Sequence, residues 1–145
     1  MDSTLTLQQH NASYVGLDFN LVQFTATVFT SSSFSAVTFR QASWTGCTFS
    51  ACNFSACDFD RIAVTNCVFT GCTFSQSSFR NSRFNDCQFR QCVWDDLNFD
   101  FAQWTSVAVL DCTGTRIDGE RLRGEQVDFT GSDFEHLALN NAHIN

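Results

Sequence analysis

Residues 47–61 read Cys47-Thr48-Phe49-Ser50-Ala51, Cys52-Asn53-Phe54-Ser55-Ala56, Cys57-Asp58-Phe59-Asp60-Arg61. Each five-residue unit has a small residue, a polar residue, a phenylalanine and two further residues that are mostly small or polar. A period of five fits neither the helical turn nor the two-residue alternation of a strand. The stretch therefore predicts a repeat architecture in which the phenylalanine and the small residue two positions before it point inward.

The same spacing extends in both directions from this stretch. Every fifth residue from Tyr14 to Val109 is aromatic or valine. The spacing returns at Phe129, Phe134, Leu139 and Ile144. Nearly the whole chain is thus one repeat, which favours a single domain. We divide it into an N-terminal lead or partial cap at 1–10 and a repeat at 11–145.

The units resemble the A-(D/N)-(L/F)-x-x motif of the pentapeptide repeat family over roughly Leu7 to Asn145. The resemblance implies an all-β fold, a right-handed quadrilateral β-helix in which four units close one square coil. At twenty residues a coil, the chain makes about seven coils. This chain prefers Phe to Leu and Cys to Ala, and neither preference conflicts with that fold.

Residues twenty apart in such a coil stack at about 4.8 Å, the spacing of neighbouring strands. The four interior columns are then Tyr14, Phe34, Phe54, Phe74, Trp94; Phe19, Phe39, Phe59, Phe79, Phe99; Phe24, Trp44, Val64, Phe84, Trp104; and Phe29, Phe49, Phe69, Phe89, Val109. Trp44 and Trp104 share a column with the small Val64. That arrangement suggests volume compensation between large and small side chains.

The eight cysteines fall at the small inward position. No C-x-x-C pair is present, which argues against a zinc site, and we expect neither a metal nor a cofactor. Thiols in this position serve as small apolar filler in reduced form. With no signal peptide, transit peptide or membrane span in the sequence, we expect a cytoplasmic protein, unless it is exported by a route that needs no signal peptide.

The net charge of −7 and the pI of about 4.6 disfavour direct binding to nucleic acid. Most acids follow residue 80, and Asp95, Asp96 and Asp100 form a dense group. Quinolone-protection members of the family imitate duplex DNA and occupy the DNA groove of gyrase. The resemblance therefore implies a DNA-mimicking gyrase modulator as one alternative function, and ordinary acidic solubility is the simpler interpretation.

Two apolar residues, Phe101 and Leu110, occupy positions that the repeat predicts to be exposed. Single exposed hydrophobic residues are common on protein surfaces. Two of them beside the acids Asp95, Asp96 and Asp100 form a candidate partner-binding patch.

The repeat is disturbed near 110–127, where Gly114, Gly119 and Gly124 fall at interior positions. Because glycine cannot fill a core, we expect the register to slip so that neighbouring bulky residues take over the interior. A bulge or altered wall would result, with glycines at tight corners. The arginines of this segment, Arg116, Arg121 and Arg123, are a second candidate contact site.

The C-terminal coil is closed by Phe134, Leu139 and Ile144, and no amphipathic helix follows them. A solenoid exposes apolar core and unpaired backbone at an uncovered end. We therefore expect end-to-end association of two copies, or a capping partner, at these residues.

Catalysis has little support in the sequence. The three histidines, His10, His136 and His143, lie in no recognisable arrangement with a nucleophile. We therefore interpret the chain as a non-enzymatic protein-interaction scaffold or adaptor, linked for instance to a bacterial effector or secretion assembly. The alternatives are the gyrase modulator and a purely architectural spacer.

Overall fold

The structure, a computed structural model, describes residues 4–5 and 8–145. These residues form short strands joined by tight corners, and they contain no helix. The strands are β1 (Thr4–Leu5), β2 (Gln8–His10), β3 (Ser13–Val15), β4 (Gln23–Thr25), β5 (Val28–Thr30), β6 (Ser33–Ser35), β7 (Ser43–Thr45), β8 (Thr48–Ser50), β9 (Asn53–Ser55), β10 (Ala63–Thr65), β11 (Val68–Thr70), β12 (Thr73–Ser78), β13 (Arg83–Arg90), β14 (Val93–Asn98), β15 (Gln103–Leu110), β16 (Thr113–Asp118), β17 (Arg123–Asp128), β18 (Asp133–Ala138) and β19 (His143–Ile144). The predicted right-handed quadrilateral β-helix of about seven coils is confirmed. Since the described residues form no helix, none of them belongs to a helix able to span a membrane.

Every strand pair is parallel, and from β2 onward the offset is twenty residues, as Phe54 and Phe74 illustrate; β1 and β4 are offset by nineteen residues. The first side of the solenoid, which carries the Phe54 column, is a seven-stranded sheet from β3 to β18. The third and fourth sides, with the Val64 and Phe69 columns, form one twelve-stranded sheet because β13 and β15 run around the corner between them. The second side, with the Phe59 column, is held by single bridges along much of its length. All four predicted columns are confirmed by this register.

The corners of the coil are left-handed. Every fifth residue from Asn11 to Asn141 has a positive φ, between 48° and 74°, and only four of these residues are glycine. This conformation costs other residues about 1–2 kcal/mol each. Ladder hydrogen bonds at the corners offset that cost, as Ala51 N donates to Thr70 O at 2.9 Å and Ala56 N to Ser75 O at 3.0 Å. Corner side chains consequently project outward and line the edges of the rod.

The core is made of vertical ring stacks. Phe54 lies parallel to Phe34 above and Phe74 below, with centroids 4.7 Å apart in both pairs. Within one coil the rings meet edge to face, as Phe54 and Phe59 do at 5.7 Å and 64°. Both arrangements suit the aromatic quadrupole and add about 0.5–1.5 kcal/mol per pair beyond burial. The interior is therefore tightly specified along most of its length.

The volume compensation predicted around Val64 is visible in the rings around Trp44. The indole reaches toward the next coil, with centroids 5.7 Å from Phe59 and 6.2 Å from Phe69. Its Nε1 is buried without a hydrogen-bond partner, as are those of Trp94 and Trp104. Apolar packing therefore fixes the orientation of these indoles.

The eight cysteines are buried and unpaired, at the small inward position where the sequence puts them. Each thiol donates to the main-chain oxygen of an interior residue 23 positions earlier, as Cys52 does to Phe29 and Cys57 to Phe34, both at 3.4 Å. Burial raises the pKa of the Cys57 and Cys87 thiols to about 11. Protonated, buried thiols such as these two are unreactive, which fits a filler role for them.

The register slip expected near 110–127 does not occur. Trp94, Gly114 and Phe134 pair in the unbroken twenty-residue register. The indole of Trp94 and the ring of Phe134 approach across the missing side chain to 5.4 Å, although they lie two coils apart. Gly119 and Gly124 are likewise interior residues, and the left-handed corners fall on Arg116, Arg121 and Gln126. The glycines thus make room for larger neighbours, which is why the backbone need not shift.

The ladder reaches into the predicted N-terminal lead. Leu5 pairs with Phe24, and Gln9 pairs with Phe29. Gln9 thus stands in an interior column, where its Oε1 accepts a hydrogen bond from Tyr14 Oη at 3.3 Å. The other residues of the lead, 1–3 and 6–7, lie outside the described residues.

Candidate protein-interaction surface

The outer surface changes in character along the rod, whereas the interior does not. Within residues 8–80 the Asp and Arg side chains lie on the second side or at its edge. The other three sides carry mainly serine, threonine, alanine and valine there. Beyond residue 80, charged residues appear on every side. The charged side chains that a partner could recognise are therefore concentrated on the second side and in the C-terminal half.

The predicted site residues are spread over all four sides. Asp95 lies on the first side, Asp96 and Arg116 at the corner between the first and second sides, Asp100 on the second side, Phe101 and Arg121 at the corner between the second and third sides, Arg123 on the third side, and Leu110 on the fourth. A flat partner cannot touch them all at once. The structure brings Phe101, Arg121 and Arg123 together around one corner, and Asp95, Asp96 and Arg116 around another.

Two of the predicted site residues are less available than their positions suggested. Leu110 is half-buried on the fourth side. Asp100 has a side chain only 15% exposed, because it lies 3.6 Å from Arg80 and accepts a hydrogen bond from the Glu120 main-chain N–H at 2.8 Å. Asp95 and Asp96 remain exposed.

Phe101 stands at a corner with 40% of its surface exposed. Its φ of 62° lies in the left-handed region, which is unfavourable for an aromatic residue. The guanidinium of Arg80 lies over the ring, 5.9 Å from its centroid. This contact is a cation–π interaction that holds the ring against the surface.

Five of the eight arginines surround Phe101. We call this group the arginine corner, and its members are Arg61, Arg80, Arg83, Arg121 and Arg123. A groove of about 340 Å³ lies within it, lined by Arg61, Asn81, Arg83, Phe101 and Gln103 among others. Only Arg80 of this group forms an ion pair in the part of the chain that the structure describes.

The arginine corner could have been predicted from the sequence by comparing outward residues twenty positions apart. Arg61, Asn81, Phe101 and Arg121 are twenty residues apart and therefore stack at one edge of the rod. Treated one at a time, Arg61 and Arg83 resemble ordinary solvated arginines. Stacking the outward positions in the same way as the inward ones would have brought them together.

The last coil leaves apolar surface uncovered. Phe134, Leu139 and Ile144 pack on the core but are only partly buried. Phe129 and Leu137 beside them are 36% and 48% exposed. This end is the second candidate contact surface, and it coincides with the predicted end-to-end site.

No three His, Cys, Asp or Glu side chains are placed to share a metal ion within residues 4–5 and 8–145. The grooves along the rod are open and shallow. The candidate sites are thus contact surfaces, not enclosed pockets.

A family model described as a pentapeptide repeat region matches residues 42–118. Among solved structures, the pentapeptide repeat protein Rfr23 from the cyanobacterium Cyanothece 51142 aligns with a TM-score of 0.52 at 10% identity, over 95% of this chain and 88% of that one. Full-length QnrB1, a plasmid-mediated fluoroquinolone resistance protein, aligns with a TM-score of 0.44 at 17% identity, over 95% of this chain and 86% of that one. At such identities the likeness is one of fold alone. No curated protein matches the chain.

Proposed function

The chain belongs to the pentapeptide repeat family, and we propose that it is a non-enzymatic protein-interaction scaffold. The observation that carries this proposal is Phe101, an aromatic side chain that stands at a corner of the rod with 40% of its surface exposed. Aromatic and arginine side chains dominate the energetics of protein interfaces, and both occur here.

The architecture supports a scaffold in a second way. The stacked interior is nearly uniform, so the outer positions can vary without disturbing the fold. Such a rod presents fixed side chains at regular intervals. We further propose that it works in a reducing compartment such as the cytoplasm, where eight unpaired thiols would persist.

The second candidate function is the DNA-mimicking modulator of gyrase. The observation that favours it is the run of acids after residue 80, in which Asp95 and Asp96 are exposed. An array of carboxylates can attract a basic, DNA-binding surface. The arginine corner works against this function, because it interrupts the negative surface on one edge of the same half.

We predict that the scaffold and gyrase functions separate in paired experiments on the purified chain. Affinity capture in the native source should retain a protein partner with the wild type, and Phe101→Asn should lose most of it. Asparagine tolerates the left-handed corner, so the variant removes the ring and keeps the fold. A gyrase supercoiling assay should show no effect of the wild type.

Inhibition or protection of gyrase by the wild type would favour the gyrase modulator over the scaffold. The effect should then weaken with added salt and with charge reversal at Asp95 and Asp96, since it would be electrostatic. Arg90→Gln, which changes an exposed arginine on the fourth side, is the control for capture. If capture and supercoiling are both silent, the chain is an architectural spacer and the scaffold proposal fails.

We also propose that the last coil is covered by a second copy or a capping partner. Ile144→Asp should make the purified protein more monomeric in sedimentation velocity, because a charge at the apolar end opposes burial of that end. Thr105→Asp, an exposed position on the same side, is the matched control and should leave the distribution unchanged. The proposal is contradicted if the wild type stays monomeric at high concentration and affinity capture retains no partner that Ile144→Asp loses.

A further inference from the structure

We propose that the groove of the arginine corner binds an acidic peptide segment of a partner protein. Arg61 and Arg83 hold carboxylates of the segment, and one of its apolar side chains packs on Phe101. This inference rests on the proposed scaffold function, because it names the chemistry of the partner that Phe101 contacts.

Charge is the first argument for an acidic ligand. The protein has a net charge of −7, yet five of its eight arginines gather around one exposed ring. Neither Arg61 nor Arg83 has an ion pair or side-chain hydrogen bond with any described residue. Their guanidinium groups are therefore free to form bidentate pairs with carboxylates supplied from outside.

The neighbouring acids do not neutralise these arginines. Asp100 is engaged by Arg80 and by the Glu120 main-chain N–H. Asp60 lies on the second side and forms no ion pair with a described arginine. Arg83 extends from the adjoining third side. The groove therefore keeps a local positive charge on a negative molecule, which attracts an acidic segment and repels a basic one.

The size of the groove indicates a peptide segment. Its volume of about 340 Å³ holds one or two side chains. Asn81 and Gln103 in its lining supply amide donors and acceptors that can bond a peptide backbone. The ring of Phe101, fixed by Arg80, offers an apolar surface beside them.

The backbone of the rod restricts how this segment can bind. Arg83 N donates to Ile62 O and Gln103 N to Ser82 O, both at 2.9 Å, so the strands along the groove are already paired on both edges. The ligand therefore cannot join the sheet as an added strand. Recognition must come from side chains, and the arginines and Phe101 decide which segments bind.

The test uses fluorescence anisotropy with the full chain and a short fluorescent peptide of glutamate and phenylalanine. We expect saturable binding that weakens as salt is added. The double variant Arg61→Gln with Arg83→Gln should weaken binding about tenfold or more, since both carboxylate contacts are lost. The matched control, Arg40→Gln with Arg90→Gln, makes the same charge change at exposed arginines outside the corner and should stay within about twofold.

Several results would overturn the inference. Equal weakening by both double variants would show unspecific attraction to net charge, and equal binding of a lysine and phenylalanine peptide would remove the charge argument. If inorganic phosphate or ATP binds through Arg61 and Arg83 while the glutamate peptide does not, the site recognises phosphate instead. If the two arginines prove to govern self-association in sedimentation, the occupant is a second copy.

The outcome is separable from that of the scaffold proposal. Peptide binding is measured with purified components, whereas the scaffold function is judged by capture with Phe101→Asn. If the peptide fails and capture depends on Phe101, the function survives and only the acidic chemistry is wrong. If the peptide binds and no natural partner is captured, the function fails and the groove remains a binding site.

Discussion

Replacing Phe59 by alanine is expected to lower the free energy of unfolding by about 3–5 kcal/mol, the usual cost of emptying a large aromatic site in a core. Phe59 is fully buried and stacks between Phe39 at 5.3 Å and Phe79 at 4.3 Å. It also meets Trp44 and Phe54 edge to face, both at 5.7 Å. Strands on the other three sides of this coil are paired above and below, which prevents the coil from collapsing into the cavity. Urea denaturation followed by circular dichroism measures the change.

Phe129→Ala is the matched control for this variant. Phe129 belongs to the same repeat position but is 36% exposed on the last coil, so its removal should cost about 1 kcal/mol or less. Similar losses from both substitutions would contradict a continuous ring stack as the main source of stability. A changed slope with denaturant would show instead that the coils unfold separately.

The interior of the rod could be predicted from the sequence because its period is unambiguous. Once twenty residues are assigned to a coil, each buried ring has a defined neighbour, and Phe34, Phe54 and Phe74 meet as the spacing requires. The burial of the cysteines was predicted from the same register. When burial follows from a residue's position in a repeat, and not from the preference of its residue type, it can be predicted without knowing the surrounding tertiary structure.

The corners could not be predicted in the same way. Their left-handed conformation is adopted by residues as different as Ala51, Arg61 and Phe101, which share no local preference for it. The ladder imposes this conformation, since each corner is fixed by hydrogen bonds to the next coil. The twenty-residue period stacks Arg61 and Phe101 at one edge, but the groove that they line with Arg83 became apparent only with the structure.

The glycine segment shows how a pattern can mislead about packing. A glycine at an interior position suggests a hole or a slipped register when each coil is considered alone. In the structure the hole above Phe134 is filled by Trp94 from two coils away. The missing side-chain volume in one coil is thus filled by a side chain from another coil. A five-residue motif, which describes one coil at a time, cannot predict this.

This compensation leads to the second large prediction, in which restoring the repeat at residue 114 harms the protein. By the repeat pattern, Gly114→Leu fills an empty interior position and should stabilise the fold. The structure predicts the opposite sign. A Cβ at Gly114 would overlap the main-chain oxygen of Trp94 and lie 3.1 Å from the Phe134 ring, so the leucine has no room.

We expect Gly114→Leu to lower the free energy of unfolding by about 3 kcal/mol or more, at the upper end of the cost of overpacking a core. The fluorescence of the tryptophans should shift as well, because the contact between Trp94 and Phe134 is forced apart. Gly71→Asn is the control: Gly71 is a left-handed corner where an added Cβ would meet open space, and asparagine tolerates that conformation at a cost of about 1 kcal/mol or less. A stabilised Gly114→Leu would mean that the interior there is a true cavity, and that the rings of Trp94 and Phe134 do not fill it.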